Sequence, residues 1–325
     1  MLHLLLVIPV STPPDVSQSR DLQEAYYHFS LGEQARQQGD VDAALGEFRK
    51  ALKLDPGSGA ILVEEARVLR DGGRISEAIA AGEQGVKLAP GEADGHQVLG
   101  QLYQLDAETE KDPKVALEKA AKEYEASLRI QPTDLAVLST LADLQARGLE
   151  DHKAAAATLE RYVELEPNAE ATLQLGAQYL AAGDSERAAV SFKHALELQP
   201  DSAKAYANLG SIYAAAAQTD QAVLHFRKAL EIEPGNVKVH LELGDVLYQA
   251  QRYKEAEAEA DAVLARDPTS RFALNLKAEC QRDQKDLDGA LKTADQFLSR
   301  YPGDPQAAFL KVTIAEARRD FPLSA

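Results

Sequence analysis

The stretch AYANLGSIYAAAAQTDQAVLHFRKALEIEP, Ala205–Pro234, decides the fold, because its ending returns elsewhere in the chain. FRKALEIEP at Phe226–Pro234 echoes FRKALKLDP at Phe48–Pro56 and FKHALELQP at Phe192–Pro200. Within the stretch, Tyr206, Leu209 and Tyr213 recur at three- and four-residue steps, and so do Ala222, Phe226 and Ala229. That is the period of an amphipathic helix. The polar break Gln218–Asp220 separates the two runs, so one copy reads as helix, tight turn, helix.

The closing prolines are Pro56, Pro90, Pro132, Pro167, Pro200, Pro234, Pro268 and Pro302, at successive spacings of 34, 42, 35, 33, 34, 34 and 34 residues. Twelve residues before each stands an alanine: Ala44, Ala78, Ala120, Ala155, Ala188, Ala222, Ala256 and Ala290. One helix earlier comes a second small column, Gly32, Ala66, Gly100, Ala142, Gly176, Gly210, Gly244 and Ala278. The small columns mark where the two helices of a copy cross, since a larger side chain there would overpack the contact. The proline follows the second helix because it cannot continue one and pushes its predecessor out of helical geometry. A single hairpin cannot bury its own apolar face, whereas stacked copies can, each touching mainly its neighbours.

These columns resemble the tetratricopeptide repeat (TPR). Copy 203–236 carries that family's pattern nearly in full, with Tyr206, Leu209, Gly210, Tyr213, Ala222, Phe226, Ala229 and Pro234. The resemblance implies an all-α, right-handed superhelical solenoid of about eight helix-turn-helix repeats. It spans 25–304, in copies at about 25–58, 59–92, 93–134, 135–168, 169–202, 203–236, 237–270 and 271–304. Residues 305–325 read as a capping helix and tail over the last hairpin, with Arg318 and Arg319 at its C-terminal end and Pro322 stopping it.

Three copies depart from the pattern. The second has Gly82 and Gly85 where Phe and Ala are expected. Unusually close helix packing is the expected reason, with a soft joint after the first repeat as the alternative. The third carries eight extra residues around DAETEKDPK, Asp106–Lys114, expected to form a longer helix pair with a solvated turn. The eighth has Lys277 at a usually apolar position.

The chain has 325 residues, 45% of them hydrophobic, and a formal charge of −17. An acidic surface repels phosphate backbones. The sequence shows no basic stripe, so nucleic acid is not an expected partner. No apolar run approaches the roughly 20 residues that span a bilayer as a helix. Residues 1–24 read as an apolar leader or tail plus linker. Leu2–Val10 has the length of a signal-peptide core but lacks a basic start and an A-x-A site. An export leader would place the protein outside the cytoplasm; a retained tail would leave it cytoplasmic. Ser11–Arg20, with Pro13 and Pro14, reads as linker.

Chemistry is sparse. No H-E-x-x-H, Cys/His ligand spacing, G-x-S-x-G or P-loop occurs, so no metal, cofactor or catalytic residue is expected. His28, His96 and His240 share one repeat position, where each ring is expected to stand in for a Tyr or Leu. The single cysteine, Cys280, reads as a small buried residue.

The family resemblance implies a non-enzymatic protein-interaction scaffold whose first helices line a concave groove for a peptide or partner element. Carried residue by residue onto this chain, the groove positions are Arg67 in the second copy and Lys204, Asn208 and Ser211 in the sixth. They continue with Lys238 and Asp245 in the seventh, and Asn275, Glu279 and Arg282 in the eighth. A chaperone-type carboxylate clamp on copies five to seven is rejected. Asn208 and Lys238 match it, but Leu173, Ala177 and Glu242 hold the other places. A homo-oligomer stays open as an alternative partner state. Two rival functions are an envelope assembly factor and the substrate-binding arm of a larger enzyme, such as a glycosyltransferase.

Overall fold

The computed structural model describes residues 16–320. Leu2–Val10 and the prolines of the linker lie outside the described residues. The linker reading extends to Arg20, yet the first helix already begins at Val16. Among the described residues the secondary structure is helical throughout: seventeen α-helices and one π turn. The chain is an all-α helical repeat that divides into two compact units, one up to Leu165 and one from Glu166 onward.

In the first unit the hairpins are α1/α2 (Val16–Gln37, Val41–Leu54), α3/α4 (Gly59–Asp71, Ile75–Leu88), α5/α6 (Ala93–Ala107, Lys114–Ile130) and α7/α8 (Leu135–Asp143, His152–Leu165). The π turn Leu144–Gly148 continues α7. In the second unit they are α9/α10 (Ala169–Ala181, Ser185–Leu198), α11/α12 (Ala203–Ala215, Thr219–Ile232), α13/α14 (Val237–Gln249, Tyr253–Leu264) and α15/α16 (Arg271–Asp283, Leu287–Arg300). Helix α17 (Pro305–Asp320) follows.

The small columns behave as crossings. All eight alanines of the second helices are fully buried. A Cβ added at Gly32, Gly176 or Gly210 would lie 2.6–2.7 Å from the ring of Phe48, Phe192 or Phe226, respectively. At Gly100 the ring is Tyr124, 2.9 Å away. The missing side chain of one helix is thus the slot for an aromatic of the other. Copy seven solves the same problem differently. Ala260 replaces the aromatic, and Leu276 of the next copy fills the space at Gly244.

In the second copy, Gly85 would place a Cβ 3.0 Å from Val63 and 3.1 Å from the Gly59 carbonyl, and Gly82 would place one 3.3 Å from Leu99. Gly85 thus marks close packing of α4 on α3, and Gly82 close packing of α4 on α5. The extra residues of the third copy lengthen α5 and α6 and leave an exposed turn at 108–113.

Most of the closing prolines are followed within two residues by a polar helix cap. Ser58, Asp134, Asn168, Ser202, Asn236 and Ser270 each accept a hydrogen bond from a backbone N–H in the first turn of the next helix. One helix is stopped and the next begun within a few residues. Asp304 plays the same part for α17, accepting from Gln306 and Ala307 at 2.9 and 3.1 Å, and pairs with Arg271. Ala307, Leu310 and Ile314 of α17 are buried against α15 and α16.

Candidate partner-binding face

First helices of neighbouring hairpins lie side by side at α3/α5 in the first unit and at α11/α13/α15 in the second, so their outward polar positions share a face there. In the first unit that face is internally neutralised. Arg36 on α1 holds Glu33 at 2.8 Å and reaches Glu64 of α3 at 3.6 Å. Arg67, a sequence-derived groove residue, lies 3.2 Å from Glu64 and pairs with Asp94 of α5. Arg70 donates to Gln101 at 3.1 Å, and Gln97 to Asp134 at 2.9 Å. Burial pushes the Glu64 carboxyl above its ordinary value and nearby Glu33 adds to this, while Arg67 and Arg36 oppose it. Arg67 is therefore a strut between helices and carries no unbalanced charge.

The second unit differs. Helices α13 and α15 frame a groove of about 650 Å³. Val237, Leu241, Leu276 and Phe272 supply its apolar wall. Phe272 is 77% exposed, the most exposed large apolar side chain among the described residues. Four of the sequence-derived residues converge here: Lys238, Asp245, Asn275 and Glu279. Glu242 joins them, accepting from Ser211 of α11 at 2.6 Å and lying 3.5 Å from Lys238. Asp245 accepts from Gln249 at 2.7 Å.

Asn275 Oδ1 is buried and accepts no hydrogen bond among the described residues. Burial raises the pKa of Glu279; the Asn275 amide and Arg282 oppose the shift, and Asp283 and Asp245 reinforce it. Arg282 is held by Asp283 at 2.7 Å and donates to the Tyr248 hydroxyl at 3.2 Å. Like Arg67, it is a braced cation. On α11, Lys204 is exposed and Asn208 half-buried, and neither lines the groove.

Val237, Leu241, Glu242, Phe272 and Leu276 were not among the sequence-derived groove residues. Phe272 had a readable signal: a large aromatic in the first turn of a first helix, away from the apolar repeat positions.

The three histidines of one repeat position act as braces. His28, His96 and His240 meet Glu47, Glu123 and Glu259 of their own second helices at 2.6, 2.7 and 2.6 Å. His96 and His240 also approach the carbonyls of Pro90 and Pro234 at 3.3 and 3.2 Å. Cys280 is buried, and burial followed by the nearby carboxylates Glu257, Glu279 and Asp283 pushes its thiol up to about 12. A thiol so shifted is not a thiolate nucleophile at neutral pH. No described helix is long and apolar enough to cross a membrane.

One solved structure shows the same architecture. The structure of Naa15/Naa10 bound to HypK-THB superposes with a TM-score of 0.68 at 18% identity, over 89% of this chain and 44% of that one. This chain therefore spans less than half the length of that relative, and the likeness is one of fold. YrrB, a TPR protein with an unusual peptide-binding site, aligns at 24% identity and TM-score 0.46, over 59% of this chain and 95% of its own. TTC0263, a thermophilic TPR protein of Thermus thermophilus, aligns at 26% identity and TM-score 0.38, over 58% and 99%. No curated protein matches the chain significantly. Family models described as tetratricopeptide repeat match residues 35–102 and 217–280, 191–223, and 273–304, together more than half of the chain. The repeat columns and the stacked hairpins they build thus coincide with these matches, and the chain belongs to the tetratricopeptide repeat family.

Proposed function

We propose that this protein is a non-enzymatic interaction scaffold that docks a peptide or partner element on the face formed by α11, α13 and α15. The observation that carries this reading is the α13/α15 groove, where an apolar wall and several polar groups converge on one opening. Concave sites of this kind, mostly apolar with a few placed polar groups, are the usual form of a binding pocket. The first-helix face of the first unit serves mainly to hold its hairpins together, because its arginines are already paired with carboxylates.

Affinity capture from the source cells with the full chain as bait, followed by mass spectrometry, tests the reading. A parallel bait carries Phe272→Ser and Asn275→Ala, which change the groove and leave the crossings intact. A protein retained by the first bait and lost from the second is the expected result. Equal recovery on both baits would move the binding surface elsewhere.

A further inference from the structure

Resting on the groove reading above, we infer that the α13/α15 groove selects a peptide presenting a basic side chain, lysine or arginine, beside an apolar anchor.

The charge around the opening carries this. Three carboxylates line it, Glu242, Asp245 and Glu279, against one ammonium, Lys238. That ammonium is 82% exposed and lies 3.5 Å from Glu242. The nearby Arg282 is balanced by Asp283. Asp245 is exposed and meets only a neutral amide at 2.7 Å, so its charge has no cationic partner there. The unbalanced charge of the groove is negative and sits on Asp245 and Glu279. A ligand cation between them would meet opposite charge with little compensating loss, whereas a ligand carboxylate would meet repulsion.

The hydrogen-bonding groups point the same way. Asn275 Oδ1 is buried without a donor, and a buried acceptor left unpaired is costly. Rotation of the Asn275 side chain toward the opening would let an incoming N–H, from a peptide backbone or a basic side chain, supply that donor; a carboxylate cannot. Glu279 is drawn from water by its surroundings, and a cation beside it offsets the cost of keeping it charged. Phe272 and Leu276 provide the surface for the neighbouring apolar anchor of the peptide. A cation held near the exposed Phe272 ring gains further attraction from its face.

The test uses the full chain and fluorescein-labelled peptides of one Gly/Ser background with a central Leu-Lys, Leu-Gln or Leu-Glu pair, followed by fluorescence anisotropy. Affinity is expected to fall in that order, with Leu-Lys on the order of tenfold tighter than Leu-Glu at low salt, and the gap narrowing as salt is added. The near-isosteric double variant Asp245→Asn/Glu279→Gln is expected to bring the Leu-Lys and Leu-Glu affinities together, with unchanged circular dichroism. Equal affinities in the unmodified protein, both abolished by Phe272→Ser, would overturn the charge inference and leave the groove as a peptide site. No binding of any peptide would overturn the groove reading together with this inference.

Discussion

A Cβ placed on Gly210 would sit 2.6 Å from Cδ1 of Phe226, so the glycine of one helix is the seat of the phenyl ring of its partner. Gly32 and Phe48, and Gly176 and Phe192, repeat the arrangement at the same sixteen-residue spacing. The recurring Phe and the recurring Gly are one feature seen from two helices.

Gly210→Ala is accordingly expected to destabilise the protein by about 1–3 kcal/mol, because the fully buried ring must shift. Helix propensity alone would favour alanine by roughly 1 kcal/mol. Gly46 supplies the contrast: it lies exposed in α2 with open space at its Cβ, so Gly46→Ala is expected to stabilise by about that amount. Urea denaturation of both variants checks the pair, and a common sign would refute the seat.

Ala222→Leu is expected to cost about 1–3 kcal/mol or more, since Ala222 is fully buried at the crossing of α11 and α12. Lys204→Leu, on the exposed side of α11, should change stability by no more than about 0.5 kcal/mol. Equal melting temperatures for the two would mean the register is wrong.

The turn inside every hairpin but the third holds a left-handed residue. Gly39, Gly73 and Gly183 fill that place with φ of 77°, 72° and 82°. Glu150, Ala217, Gln251 and Lys285 occupy it in the fourth, sixth, seventh and eighth copies with φ of 53°, 55°, 60° and 64°. An L side chain is strained there by roughly 1–2 kcal/mol. Ala217→Gly should therefore raise stability by about 0.5–1 kcal/mol, the relief being partly offset by the freer unfolded chain. A lower midpoint in thermal unfolding would contradict this.

Burial holds the Glu279 carboxyl above its ordinary value of 4.5. The folded state therefore binds this proton more readily than the unfolded chain does. Its stabilising contribution is fully present below 4.5 and is lost as pH rises through the folded value. Glu279→Gln is expected to flatten this part of the stability profile and to be the more stable form at neutral pH. Denaturation midpoints of both proteins across the mildly acidic to neutral range decide it. A profile for the variant as steep as that of the parent would sink the assignment.

Much of this architecture was legible in the linear chain. The prolines, the alanine column and the Gly/Ala column define eight hairpins because each contact they encode joins residues of one copy at a nearly constant separation. A single period then suffices to reveal it. Even the histidines share a position because each answers a glutamate on its own second helix, nineteen residues on in the first and seventh copies.

Contacts between copies are another matter. That Leu276 fills the space at Gly244, that Arg67 is neutralised by Glu64 and Asp94, and that Phe272 stays exposed beside Asn275 and Glu279 all depend on how one hairpin lies on the next. The outward positions of the first helices are free of the packing constraint that makes the columns periodic. Their side chains vary from copy to copy, and the repeat says nothing about which charges cancel. The hairpins, and the face that holds their polar positions, could thus be read from the order of residues along the chain. Which of those positions are braced struts, and which still carry unbalanced charge, emerged only from the packed helices, because charge balance is set by distances across neighbouring copies.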